Sequence, residues 1–242
     1  MIYFKNYLLA GLALCSVSLA AQKIAKLKPV RSISVDIPEP SDICYNPTTA
    51  TFYIVSDDGI LFEADKDGKV IRKIAEENAD YEAVYADAQN IYAVDETHRN
   101  ICIYDHNFKK IKAINVPYSG GRNKGYEAIT FNKNKNSLIV ITEKDPITLL
   151  ELDTNFKITN QVDLSAIASD IAAATYYNDF LWLLSDERMM VFKLNPATYE
   201  VLGKWSLPVI NPEGMAFDAA GNLMVTCDDM QRIYYFNNPE KN

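Results

Sequence analysis

Glu82-Ala83-Val84-Tyr85-Ala86, Glu127-Ala128-Ile129-Thr130-Phe131 and Glu213-Gly214-Met215-Ala216-Phe217 are versions of one five-residue phrase. It runs any residue, a small one, an apolar one, any residue, then usually an aromatic. Ser41-Asp42-Ile43-Cys44-Tyr45 and Ala172-Ala173-Ala174-Thr175-Tyr176 complete the set, with Asp42 and Ala86 each breaking the pattern at one position. The first residues of the five copies stand 41, 45, 45 and 41 apart. Self-similarity at a fixed period of this length is the mark of a repeat architecture.

A second phrase follows each copy at a near-constant offset. It is an apolar strand that closes on a hydroxyl or acid, usually with another acid after it: Val55-Ser56-Asp57, Val94-Asp95-Glu96, Ile141-Thr142-Glu143 and Leu184-Ser185-Asp186. The fifth copy is Val225-Thr226-Cys227-Asp228, with its acid one place late. A third strand then ends on Asp65, Asp105, Asp153, Asn195 or Asn237. Asp and Asn suit such turns because their side chains bond their own backbone. A fourth strand follows four of the turns. No segment after residue 22 keeps a 3.6-residue apolar period, and β-branched and aromatic residues crowd the strands. Four short strands every ~40–45 residues predict an all-β, five-bladed β-propeller. A plain β-sandwich would also have short strands, but it would not require a five-fold repeat.

After Phe236 only six residues remain, too few for a fourth strand in blade five, while an orphan strand, Arg31 to Ile37, precedes the first phrase. Joining that N-terminal strand to the last blade closes the ring and removes exposed strand edges. The expected domain plan is a signal peptide over residues 1–21, a linker over 22–30 and the propeller over 31–242. Lys5, the apolar run Leu8 to Leu14 and the small residues around Ser18-Leu19-Ala20-Ala21 form the three-part pattern of an export signal, which predicts a periplasmic or extracellular protein. The alternative is retention of the segment as a membrane anchor, although 15 apolar residues from Tyr7 to Ala21 are fewer than the ~20 that span a bilayer. Lipidation at Cys15 is disfavoured by Leu14, which stands where a small residue is usual. Cys44, Cys102 and Cys227 are odd in number and widely spaced, so they read as small buried hydrophobes and not as a disulfide or zinc framework.

The chain carries a net charge of −8. That excludes a nucleic-acid partner, which needs a basic face, and suits a cation or a basic partner. In a propeller the first strand of each blade lines the central channel, and the second runs antiparallel to it. Glu82, Glu127 and Glu213 should therefore meet Asp57, Glu96, Glu143, Asp186 and Asp228 at one mouth. Carboxylates so crowded repel each other unless a cation compensates. Calcium takes six to eight oxygens in loose geometry and fits acids from separate blades better than magnesium does. The alternative is that these acids are solvated or bonded to backbone amides at the blade ends.

The runs Glu39-Pro40-Ser41-Asp42-Ile43-Cys44-Tyr45-Asn46-Pro47, Tyr53-Ile54-Val55-Ser56-Asp57-Asp58 and Pro212-Glu213-Gly214-Met215-Ala216-Phe217-Asp218 resemble the SdiA-regulated (YjiK-like) family. The resemblance covers about residues 31 to 237. NHL-type six-bladed propellers share the small-apolar-aromatic motif. It implies a five-bladed propeller with a bound calcium behind an N-terminal signal or anchor, and no established activity. The family's motif glutamates in blades two, three and five fall on Glu82, Glu127 and Glu213. Asp42 and Ala173 stand where the family prefers glycine, and Ala172 where serine is expected.

Two functional classes remain. One is a binding or scaffold propeller, in which calcium stiffens the ring and the mouth takes a protein or small-molecule ligand. The other is a calcium-dependent hydrolase, similar to six-bladed lactonases and arylesterases or acting on phosphate esters. The second needs a general base, and of the two histidines only His98 lies in a turn that could reach the acidic mouth. No GxSxG elbow is present, and Arg99 and Arg188 are the only obvious clamps for phosphate.

Overall fold

The structure is a computed structural model that describes residues 24–117 and 125–241. The expected signal peptide, residues 1–21, lies outside the described residues. Five blades surround one axis, each with four antiparallel strands from the axis outward. Blade one comprises Pro40–Asn46, Thr51–Ser56, Ile60–Ala64 and Val70–Ala75, and blade two Tyr81–Ala86, Asn90–Asp95, Asn100–Asp105 and Lys110–Asn115. Blade three comprises Tyr126–Asn132, Ser137–Thr142, Thr148–Leu152 and Ile158–Asp163. Blade four comprises Ala173–Tyr177, Phe180–Ser185, Met190–Leu194 and Val201–Ser206. Blade five supplies Pro212–Phe217, Leu223–Cys227 and Arg232–Phe236 from its own segment, and its outer strand is Pro29–Ser34. The innermost strands contact one another in order round the whole circle, blade five meeting blade one. Among the described residues the one helical element is the 3-10 turn Pro239–Lys241.

Burial follows position along the radius. The second strands of blades one and three, Thr51–Ser56 and Ser137–Thr142, are buried at every residue, as expected of strands covered on both faces. The outer strands Val70–Ala75 and Lys110–Asn115 are exposed or half-buried throughout. They carry Arg72, Lys73, Lys110 and Lys112, the charges that discourage edge-to-edge pairing. Turn chemistry between third and fourth strands follows the expected caps. The Oδ1 atoms of Asp65, Asp105 and Asp153 each accept backbone N–H groups two and four residues on, at 2.8–3.0 Å. Asn195 accepts from Ala197 at 2.8 Å. Cys102 and Cys227 are buried and Cys44 is partly so, all three as free thiols.

Ring closure is antiparallel. Arg31 pairs with Tyr235, Ile33 with Ile233 and Ser34 with Arg232. The strand spans Pro29–Ser34, two residues ahead of the orphan strand read from sequence, and Val35 and Ile37 beyond it turn into the core beside blade one. A second attachment had no sequence signal. Ala25–Lys26 pairs in parallel with Trp205 and Ser206 at the outer edge of blade four. It lies inside the stretch expected as linker. Leu27, between the two attachments, is 0% exposed and packs in the cluster that holds Trp182, Leu207 and Phe236. The N-terminal segment therefore staples blade four to blade five.

At the level of the phrase's second residue the inner strands are tightly packed. Ala83, Ala128 and Ala173 are 0% exposed there. Gly214 has no room for even a methyl group, because a Cβ would stand 2.6 Å from the Cα of Asp42 and 2.5 Å from Thr226 Oγ1. Asp42, the one polar residue at this level, is 1% exposed. Its Oδ2 accepts the N–H of Val84 in blade two at 2.9 Å, and its Oδ1 that of Met215 in blade five at 3.3 Å. One carboxyl thus joins the two blades on either side of its own. Burial pushes its pKa well above the usual carboxylate range, against those hydrogen bonds.

Two outcomes test these connections. Removing residues 24–34 should expose the edge of Arg232–Phe236 and give aggregated protein, whereas Leu27→Ala should remain folded and lose about 2–5 kcal/mol; size-exclusion chromatography and thermal melting check both. A truncated chain that is monomeric with an unchanged melting transition would contradict the staple. Asp42→Ala should strand two buried N–H groups and cost about 2–5 kcal/mol, with Asp42→Asn milder because one acceptor oxygen remains. Denaturation midpoints measure this, and equal midpoints for Asp42→Ala and parent would refute the clamp.

Candidate functional site

Inner strands begin with an irregularity that turns a residue out of the ladder. In blade two Tyr81 pairs with Asp95 and Ala83 with Val94, so Glu82 is the extra residue of a β-bulge. In blade three Tyr126 pairs with Thr142 and Ala128 with Ile141, which leaves Glu127 over. Blade five pairs Pro212 with Cys227 and Met215 with Val225, so Glu213 and Gly214 together oppose Thr226. In blade one the extra residue is Ser41. A bulge bends the strand and re-aims a side chain. Three of the four turn a glutamate toward the axis.

Glu82, Glu127 and Glu213 line one cavity of about 380 Å³. Asp57, Glu96, Glu143 and Asp186, from the ends of the second strands, share it as expected. Asp228 does not line it, although its charge acts on Asp57, Asp186 and Glu213. Asp80, Asp170, Glu187 and Lys144 complete the charged lining. Among the described residues, ten carboxylates from all five blades therefore face a single ammonium.

Some of these acids have local partners. Asp170, 3% exposed, accepts Ser185 Oγ at 2.6 Å and the Asp186 N–H at 2.7 Å. Asp57 accepts Ser41 Oγ at 2.5 Å. Glu96 Oε1 accepts the Gly125 N–H at 2.7 Å, an approach so close that a Cβ on residue 125 would lie 2.3 Å from Glu96 Cγ. Lys144 pairs with Glu143 at 2.5 Å and reaches Glu187 at 3.7 Å. The motif glutamates remain the most strongly perturbed. Burial, then the charge of Glu127, pushes Glu82 well above the usual carboxylate range. Burial, then the charges of Glu96, Glu143 and Glu213, does the same to Glu127. Glu213 rises to about 8 and Asp186 to about 6, in both cases chiefly through burial and then through neighbouring acids.

Glu82, Glu127 and Glu213 ring the cavity, but the acids whose oxygens converge most closely are Asp80, Glu82 and Glu96, each placing one carboxylate oxygen within 4.8 Å of the others. Asp80 and Asp170 were not singled out from the sequence. A signal existed: each stands two residues ahead of the first residue of the repeated phrase, and Asp170 supplies blade four with the acid that Ala172 lacks. Among the described residues the donor set is all oxygen, with no histidine or cysteine lining the cavity. That chemistry fits a hard cation and not zinc or copper. His98 is turned elsewhere. Its Nδ1 lies 2.8 Å from Asp95 Oδ2, its side chain is 48% exposed, and it is not part of the cavity wall.

Comparison with known proteins places this geometry. The family model described as SdiA-regulated matches residues 19–237. No curated protein matches the sequence. Among solved structures the chain is similar to Myxococcus xanthus glutaminyl cyclase, with a TM-score of 0.73 and 13% identity over 88% of this chain and 97% of that one. It is also similar to a streptogramin B lyase, with a TM-score of 0.53 and 15% identity over 86% of this chain and 72% of the other. For virginiamycin B lyase from Staphylococcus aureus the TM-score is 0.52 and the identity 13%, over 82% of this chain and 66% of that one. Likeness at these identities shows the propeller fold and carries no activity across.

The raised carboxyl groups fix the sign of a pH effect. Glu213 titrates near its ordinary 4.5 in the unfolded chain and at about 8 in the folded one. Between those values the folded protein holds the extra proton, so its stability falls as pH rises. In chelator, the unfolding free energy from urea titrations should decline from about pH 5 to about pH 8. A flat or rising profile over that window would show that the acids are solvated.

Proposed function

The chain belongs to the SdiA-regulated family, and from that premise we propose that it is an exported propeller that binds calcium at its acidic mouth and acts as a binding or scaffold module. One observation carries the reading: among the described residues, ten carboxylates from five blades converge on a single cavity that offers one ammonium against them. Local hydrogen bonds satisfy Asp170, Asp57 and Glu96, but they leave the motif glutamates crowded and held toward the protonated form. A divalent cation would supply the missing positive charge and tie several blades to one centre. Asp80, Glu82 and Glu96 are the first ligands by convergence, and Glu127 and Glu213 extend the set round the axis. Calcium is preferred to magnesium because the donors come from independent bulges and loops, which favour a loose shell of many oxygens over a strict octahedron.

Export rests on Lys5, the Leu8 to Leu14 run and the small residues through Ala21. The binding-module reading is favoured over a hydrolase by the position of His98, which pairs with Asp95 away from the cavity. A ligand for the module would be a protein or small molecule that meets the mouth.

An ion that binds only the folded state at a hundredfold excess over its Kd adds about 2.7 kcal/mol of stability, a rise of roughly 5–10 °C for a chain of this size. Calcium should raise the melting temperature by that order at neutral pH, and magnesium should do so less. Exchanging Glu82, Glu127 and Glu213 together for glutamine should abolish the response and leave the metal-free protein at least as stable as the parent, because repulsion is relieved. Identical melting of the parent in calcium and in chelator would refute the assignment.

A further inference from the structure

The inner strands that start among the acids end in aromatic residues, and at that opposite end of the channel lies a second cavity of about 340 Å³. Every blade contributes to its wall. Tyr45 comes from blade one, Tyr85 from blade two, Phe131 from blade three, Tyr176 and Tyr177 from blade four, and Phe217 from blade five. All but Phe217 are only half-buried. Aromatic side chains are the largest apolar payload a chain can bury, and five of these six remain partly in water around one hollow. Tyr85 and Phe131 also wall an adjoining groove of about 220 Å³, so the aromatic surface continues outward between blades two and three.

Charge selects among occupants. An aromatic ring carries a negative face that attracts a cation lying over it. The chain's net charge of −8 and the acids at the other mouth add a field of the same sign. One acid and one base line the hollow. Lys133 is exposed at its rim. Asp218 is engaged by the Ala220 and Asn222 N–H groups and by Asn222 Nδ2 at 2.8–2.9 Å. Among the described residues Asp218 is the one carboxylate of the wall, so a metal ion would find no carboxylate cage here, and the chain's net negative charge disfavours an anion. A cation that sheds water easily meets neither obstacle.

We propose that the aromatic mouth is a binding site for a small organic cation with a weakly hydrated, alkylated ammonium head, held over the rings of the inner strands. The site lies at the opposite end of the channel from the acidic mouth, and its occupancy does not depend on calcium binding there.

Choline chloride is the probe, and 3,3-dimethylbutan-1-ol, its uncharged isostere, is the control. Isothermal titration of the mature chain, in calcium and in chelator, should show choline binding in both, at least tenfold tighter than the isostere. Tyr85→Ala and Phe131→Ala should each weaken choline several-fold or more, and Tyr85→Phe should retain it, because the ring is what binds. If an alanine variant fails to fold, the comparison of choline with its isostere on the parent protein decides. Equal binding of the two probes would make the hollow a plain apolar pocket and overturn the proposal, as would no binding of choline or alanine variants that bind it like the parent.

Discussion

Five strands are brought to one axis, and how near they come at each level determines what stands there. At the level of the phrase's second residue stand the buried Ala83, Ala128 and Ala173, the tightly enclosed Gly214, and Asp42, whose carboxyl takes N–H groups from both neighbouring blades. Not even a methyl group fits beside Asp42 at position 214. Close-packed interiors respond to a single methylene, so this waist fixes the bore of the ring. The two ends of the channel are free to differ because the waist separates them.

Above the waist the bulges matter most. Regular pairing would send alternate side chains into the spaces between blades. One extra residue in each of four inner strands breaks that alternation and turns Ser41, Glu82, Glu127 and Glu213 inward. The arrangement stores charge repulsion in a folded protein. Burial and mutual proximity raise the glutamates together, and their protonated forms stabilise the fold where their ionised forms do not. A cation that relieves this strain is coupled to the rigidity of the ring by the same residues. The calcium proposed for this mouth would thereby be linked to how firmly the blades are held.

Much of this was legible in the sequence, because a repeat reports its own register. The period located the five blades, the phrase located the inner strands, and the offset to the second phrase placed Asp57, Glu96, Glu143 and Asp186 at the same mouth as the motif glutamates. The missing strand after Phe236 pointed to closure by the N-terminal segment, and the pairing of Arg31 with Tyr235 is that closure. What escaped was what the repeat does not encode. Ala25–Lys26 attaches to blade four through backbone bonds that two ordinary residues do not advertise. Asp42 read as a break in the pattern, since only the folded ring brings Val84 and Met215 within reach of it. Asp80 and Asp170 stand just ahead of the phrase, outside the residues that repeat in all five blades. The aromatic last position marks the register of the inner strand in sequence, and only the closed ring shows that its side chains surround a hollow.

The acidic mouth is the centre of this account, and a crystal grown with calcium tests it most directly through the ion's anomalous scattering. An ion is expected inside the cavity, about 2.3–2.6 Å from carboxylate oxygens that include Glu82, with ligands from more than one blade. A cavity that holds only water under those conditions, with its carboxylates turned to solvent or to backbone amides, would contradict it.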